Sequence, residues 1–239
     1  MAEFLLIHGA WYGAWCWEKT IRALNARGHR ASAIDMPGAG ADPTPVESVS
    51  LDDYVKRIGE ELGKIDGKVV LVGHSMGGIL ISAAAEAYPD RIERLIYVCA
   101  FLPRNGESLM ALERNNPVPS VALALIMSES GRSATIQNDR IIPLFFHDCT
   151  PEDQQWAKSM VTPQPAAPLF AEVSLTEQRF GSIPRSYIAC TDDRAINIAH
   201  QRDMIAASAG VEKILETHTS HSPFLSRPDR LVDLLVKAI

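Results

Sequence analysis

The residues best suited to chemistry sit in Gly73-His74-Ser75-Met76-Gly77. This G-x-S-x-G segment follows the apolar run Val69-Val70-Leu71-Val72 and precedes a helix-like stretch. Strand, sharp turn with a serine, then helix is the pattern of a nucleophile elbow. The turn strains the serine backbone, and Gly73 and Gly77 let the two elements approach closely. A serine hydroxyl is a weak nucleophile until a base and an oxyanion site surround it. His221, in Thr217-His218-Thr219-Ser220-His221-Ser222-Pro223-Phe224, is a candidate base, and Asp193, in Cys190-Thr191-Asp192-Asp193-Arg194, a candidate acid. In that reading His221 takes the Ser75 proton and returns it to the leaving group, while Asp193 fixes the imidazole tautomer. The backbone N–H groups of Met76 and Ala10 are the expected oxyanion donors, each contributing ~3 kcal/mol to transition-state stabilisation.

Each position has a plainer competitor. His218 could be the base, although it ends a predicted strand and should point elsewhere. Asp192 stands in the same loop as Asp193 and could supply the acid. Asp35 reads as a turn cap, His8 as a loop hydrogen-bonder, and His74 as the variable residue of the elbow.

The surrounding elements can position these groups. Short apolar runs predict strands over 4–8, 30–35, 68–73, 92–100, 185–190 and 212–216. Helical spacing predicts helices over 15–27 (Trp17, Ile21, Leu24), 51–62 (Leu51, Val55, Ile58, Leu62), 77–88, 196–208 and 228–237. The β-α-β-α-β-α-β order argues an α/β fold: a mostly parallel, doubly wound sheet with helices on both faces. From 103 to 181 the rhythm breaks into proline-rich sequence with apolar patches at 121–127 and 141–146 and a helix near 152–160, which reads as an inserted cap. The core is then 1–102 plus 182–239, one structural unit with its cap. Ser75, Asp193 and His221 all follow predicted strands, where open α/β sheets gather function.

Composition narrows the classes. The chain has 239 residues, 46% hydrophobic and 22% charged, with a net charge of -6. That balance gives no reason to expect nucleic acid as a partner. No apolar segment is long enough for a membrane span, and Met1-Ala2-Glu3-Phe4 lacks the basic start of a leader, so a cytoplasmic enzyme is expected. Cys16, Cys99, Cys149 and Cys190 form no C-x-x-C pair, which predicts free thiols. The seven histidines form no metal-ligand motif, so a metal site is not expected.

With these residues assembled, the chain resembles the small α/β-hydrolases that include plant methylesterases and α-hydroxynitrile lyases, with bacterial relatives that hydrolyse pyrethroid and carbamate-type esters. The likeness rests on His8-Gly9-Ala10-Trp11-Tyr12-Gly13-Ala14-Trp15-Cys16-Trp17, on the elbow, on Thr150-Pro151-Glu152-Asp153 in the cap, and on Tyr187-Ile188-Ala189-Cys190-Thr191-Asp192-Asp193. It covers nearly the whole chain and favours Asp193 as the acid. It implies the α/β-hydrolase fold and a cofactor-free serine carboxylesterase for small apolar or aromatic esters, working through an acyl-enzyme. Dimers are common in that family, which makes a homodimer possible. The alternatives are a hydroxynitrile lyase, a carbamate or amide hydrolase, or an aromatic-acid-binding protein. Lyases of this family carry threonine where this chain has Gly9 and lysine where it has Ser222, so esterase chemistry is favoured. Tyr12 and Met76 depart from the usual histidine and leucine of the plant esterases. Tyr12, Phe146, Trp156 and Met160 are the expected substrate-pocket residues, with cap packing as the alternative for each aromatic.

Overall fold

The computed structural model describes residues 1–118 and 120–239. Six parallel strands form the main sheet: β1 (Glu3–Ile7), β2 (Arg30–Ile34), β3 (Val69–His74), β4 (Ile92–Val98), β8 (Arg185–Cys190) and β9 (Val211–Thr217). Their order is β2-β1-β3-β4-β8-β9. The four inner strands are nearly continuous buried runs, because both faces of a parallel sheet are covered. The edge strand β9 alternates half-buried and exposed residues, as a strand covered less completely should.

Helices α1 (Glu18–Ala26), α2 (Leu51–Lys64), α3 (Gly77–Ala87), α8 (Ile198–Ala207) and α10 (Pro228–Ala238) connect or follow these strands. The path from β1 to β2 runs one way across the sheet, and the path from β2 to β3 runs back past β1. Right-handed crossovers therefore place α1 and α2 on opposite faces. The reversal opens a crevice between the carboxyl ends of β1 and β3, where open α/β sheets bind ligands.

Local chemistry sets the helix boundaries. Ser50 Oγ accepts the Asp53 N–H at 3.2 Å and Asp53 Oδ2 accepts the Ser50 N–H at 2.8 Å, a closed capping box for α2. The helix buries Leu51, Tyr54, Ile58 and Leu62, so Tyr54 takes the inward place expected of Val55. The expected helix from Trp15 begins instead as a tight turn over Ala14–Trp17 and becomes α-helical at Glu18. Gly28 follows that helix with φ +80°, a left-handed conformation that glycine adopts without strain.

Between β4 and β8 lie α4 (Leu109–Arg114), α5 (Ser120–Ala124), β5 (Leu125–Met127), β6 (Ser133–Ile136), α6 (Pro151–Met160), β7 (Gln164–Pro165) and α7 (Ala167–Phe170). The three strands make a small antiparallel sheet in the order β5-β6-β7. A wide helical turn spans Ile142–Phe146, and a short α9 (Pro223–Ser226) precedes α10. Trp11 ties this segment to the core: its indole N–H donates to the Ala134 carbonyl at 3.0 Å and its carbonyl accepts the Thr162 N–H at 3.1 Å. Lys19 and Asp153 add an ion pair at 2.9 Å. All four cysteines are free and buried. Among the described residues no helix is long and apolar enough to cross a membrane.

Candidate active site

Ser75 occupies the turn between β3 and α3 with φ +53°. A side chain other than glycine pays for that conformation, and the surroundings hold it there. The Ser75 carbonyl accepts the Gly78 and Phe101 N–H groups, each at 3.0 Å, and its N–H donates to the Val98 carbonyl at 3.4 Å. A Cβ on Gly73 would lie 2.5 Å from the Gly77 carbonyl oxygen, so the strand and helix can meet only with glycine there. Ser75 is nevertheless almost enclosed, 8% exposed, and it opens on an internal cavity.

The loops after β8 and β9 bring an acid to a base. Asp193 Oδ2 lies 2.7 Å from His221 Nδ1, and both side chains are buried. Asp193 Oδ1 accepts the Ala195 and Ile196 N–H groups at 2.7 and 3.0 Å, and Gln201 Nε2 reaches Oδ2 at 3.4 Å. Donors to both oxygens fix the carboxylate, which in turn places the proton of His221 on Nδ1. The competitors are elsewhere. Asp192 faces outward against His147 Nε2 at 3.1 Å, and His218 is exposed with Nδ1 against Thr191 Oγ1 at 3.1 Å. Asp35 accepts the Ala14 N–H at 2.7 Å, as a turn-stabilising carboxylate does.

The loop carrying His221 is pinned from three sides. His74 Nε2–H donates to the His221 carbonyl at 2.8 Å, and the Cys99 thiol approaches the same oxygen at 3.5 Å. The two imidazole rings stand 4.5 Å apart. Burial, helped by the neighbouring His221, holds His74 well below the usual histidine range, so it stays neutral. From the cap, Asp148 Oδ2 accepts the Ser220 N–H at 2.9 Å. From the loop after β1, the Tyr12 hydroxyl lies 3.1 Å from Ser222 Oγ. His74, Cys99 and His221 offer ligand-type atoms within 4.8 Å of one another, and their hydrogen bonds make the cluster a support for the His221 loop. His74 and Asp148 were not assigned such roles by sequence reasoning, which had no signal for bonds 147 and 72 residues apart in the chain.

Ser75 and His221 share the wall of one apolar cavity with Ala10 and Met76. Among the described residues, neither the Ala10 nor the Met76 N–H is taken by another protein acceptor. Phe101, Leu109, Val121, Leu125, Phe145 and Leu169 are among the residues that complete the lining. The four residues expected to line it do not. Tyr12 is buried behind the site, its ring against His74 and Phe224 and its hydroxyl on Ser222. Phe146 packs against Tyr12, because the wide turn at Ile142–Phe146 directs Phe145 to the cavity instead. Trp156 stacks edge-on against Trp15 at the surface, 38% exposed, and Met160 packs at the margin of the core.

Gly9 sets the floor between the two halves of the site. A Cβ there would lie 2.7 Å from Ser75 Cβ and 3.0 Å from His74 Nδ1. The adjoining His8 is neutral in form: Nδ1–H points to the Gly9 carbonyl at 2.8 Å and Nε2 accepts the Met36 N–H at 3.1 Å.

Residues 4–234 match the Alpha/beta hydrolase family. Putative methylesterase 11, chloroplastic, of Arabidopsis thaliana is 32% identical over 98% of this chain, which spans 63% of that relative's length. Methylesterase 7 of the same plant is 33% identical, with 98% of this chain and 95% of the relative aligned. Among solved structures, a pyrethroid hydrolase from Sphingobium faniae JZ-2 superposes with a TM-score of 0.90 at 28% identity, covering 99% of this chain and 96% of the other.

Proposed function

The chain belongs to the alpha/beta hydrolase family, and on that premise we propose that it is a serine carboxylesterase acting on small apolar or aromatic esters. One observation carries the reading. The hydrogen-bonded His221–Asp193 pair and the strained Ser75 open on a single apolar cavity. The esterase names of the relatives agree with it.

In the first half-reaction the Ser75 hydroxyl oxygen attacks the ester carbonyl carbon while His221 Nε2 accepts its proton. The electron pair displaced onto the carbonyl oxygen is received by the Ala10 and Met76 N–H groups. Each such donor lowers the barrier by ~3 kcal/mol, because it is already aimed where charge develops. Asp193 stabilises the imidazolium that forms. Collapse breaks the ester C–O bond, and His221 returns the proton to the departing alcohol. Water then attacks the acyl-enzyme with His221 again as base, releasing the acid and restoring Ser75. The apolar lining favours substrates with hydrocarbon or aromatic bodies.

The test is a comparison of wild type, Ser75→Ala and Asp193→Asn on 4-nitrophenyl acetate, methyl salicylate, a pyrethroid ester and mandelonitrile. Ester turnover should vanish with Ser75→Ala and fall about 10⁴-fold in kcat with Asp193→Asn. Cyanide release without ester turnover would replace the esterase reading by a lyase, and full ester turnover in Ser75→Ala would refute the serine mechanism.

A further inference from the structure

The cavity wall holds a carboxyl group that the triad chemistry does not use. Glu113, at the end of α4, lines the cavity and is 2% exposed. Its Oε2 accepts the Asn116 amide N–H at 3.1 Å. Its Oε1 is buried and, among the described residues, meets no donor in good hydrogen-bond geometry, the Ala122 N–H being a neighbour of the carboxyl. The other polar side chains of the lining are accounted for. Ser75 and His221 belong to the triad, and the Trp11 indole N–H is taken by the Ala134 carbonyl. A carboxyl oxygen enclosed among apolar groups without a partner costs free energy, and a leucine would fill the wall without that cost.

The group is also held still. Asn116 Oδ1 accepts the Val118 N–H at 3.0 Å and an N–H of the Asn197 amide. Asn197 in turn caps α8 through the His200 N–H at 3.0 Å. A carboxyl group fixed on a network in the wall of a cavity is placed to meet a ligand. Burial moves the Glu113 carboxyl above the usual carboxylate range, with the nearby Asp193 charge adding to it, while Asn116 and the Ala122 N–H oppose the shift. The rest of the lining is apolar, so an ammonium group would lose its water with this one carboxyl as compensation, a costly exchange. A hydroxyl suits it in either state, because it can donate to a carboxylate and can both donate to and accept from a carboxylic acid.

We propose that Glu113 is a specificity-determining residue that selects esters carrying one hydroxyl group on an otherwise apolar body, through a hydrogen bond at Oε1. This rests on the esterase reading of the same cavity. It separates the substrates by a polar contact that the hydrocarbon lining cannot supply.

The experiment compares two series of esters with their plain counterparts: 4-nitrophenyl ω-hydroxyalkanoates of increasing length, and acetates of ω-hydroxyalkyl alcohols. The two series place the hydroxyl on the acyl and alcohol sides in turn. Wild type should prefer the hydroxylated member at one length in one series, read as a ratio of kcat/KM values. Glu113→Leu should lower that ratio about tenfold, the worth of one buried hydrogen bond. Glu113→Gln, which still offers a donor and an acceptor, should restore most of it. The ratio is insensitive to a general loss of folded enzyme, and thermal melting of each variant separates the two effects. The inference is overturned if wild type shows no preference at any length, or if the preference survives intact in Glu113→Leu. Ester hydrolysis that persists in Ser75→Ala would instead sink the esterase reading. In that case the ratio of dissociation constants for hydroxylated and plain ketone analogues of the esters, which cannot be hydrolysed, measured by calorimetry with and without Glu113→Leu, still decides the role of Glu113.

Discussion

Replacing His74 by phenylalanine isolates one hydrogen bond in the support of His221. The ring of His74 sits among Tyr12, Trp17 and Phe224, with centroids 5.3, 6.3 and 4.9 Å away. Phenylalanine keeps that aromatic packing and removes the Nε2–H that holds the His221 carbonyl at 2.8 Å. The Cys99 thiol, at 3.5 Å, is the remaining donor to that oxygen, and thiols donate weakly. A buried carbonyl that loses its main donor costs about 1–3 kcal/mol. For a chain of this size each kcal/mol lowers the melting temperature by about 2–4 °C. Catalysis should suffer more than stability, since a displacement of about 1 Å in a reacting group costs on the order of 10²-fold in rate. His74→Gln is the complement, because its amide restores a donor but not the ring. The assay is kcat for 4-nitrophenyl acetate with a parallel calorimetric melt. The expected order is wild type, then Gln, then Phe in kcat. A Phe variant as active as wild type, or one less damaged than Gln, would refute the idea that the donor positions His221 and would leave His74 as packing alone.

Other consequences follow from the same geometry. Gly9→Ala drives a methyl to 2.7 Å from Ser75 Cβ, a rigid neighbour, so the elbow must shift; kcat should fall by on the order of 10²-fold, and unchanged kcat would show that the floor of the site yields freely. Trp156→Ala should leave KM for every ester within about twofold, since the indole lies on the surface against Trp15 and surface changes usually stay within ±0.5 kcal/mol; a large rise in KM would return Trp156 to the pocket. Stability should fall on acidification below the ordinary histidine value of 6.5, because burial depresses the folded-state values of both His8 and His74. Under those conditions the unfolded chain binds protons that the native chain refuses, so stability rises with pH, by up to about 1.4 kcal/mol per unit for each histidine. Urea titrations at pH 7.5 and about 5.5 test the sign, and His74→Phe should reduce the slope. A flat profile would contradict the burial of neutral imidazoles.

What could be seen in the sequence was what depends on near neighbours. The capping box of Ser50 and Asp53 spans three residues, and the buried run of β3 announces itself residue by residue. The elbow was visible because its glycines answer a local contact, Gly73 against the Gly77 carbonyl. The choice of Asp193 over Asp192 was harder, since adjacent residues in a loop differ only in which way each faces. The two face different ways because the loop is hydrogen-bonded across from β8 to β9: the Thr191 N–H meets the Thr217 carbonyl and the Asp192 N–H meets the Thr219 carbonyl. That pairing leaves Asp192 outside and turns Asp193 toward His221.

The pocket lining was not legible for a physical reason. Its residues come from α4, α5, β5, α7 and the turn at Ile142–Phe146, pieces too short for a period to develop. In such a segment one residue decides the face, as Phe145 and Phe146 illustrate by pointing to the cavity and to Tyr12 respectively. Residue type alone therefore points to large aromatics, while the cavity wall includes Leu109, Val121, Leu125 and Leu169, with Phe145 beside His221. The same logic explains Tyr12. Its size suggested a substrate contact, but a phenol buried beside His74 needs a partner for its hydroxyl, and Ser222 provides one at 3.1 Å. A lysine at position 222 would lose that bond and bring a buried cation to the phenol. Ser222 thus anchors the loop that carries His221. Changing it would disturb hydrolysis before it could create a site for cyanide.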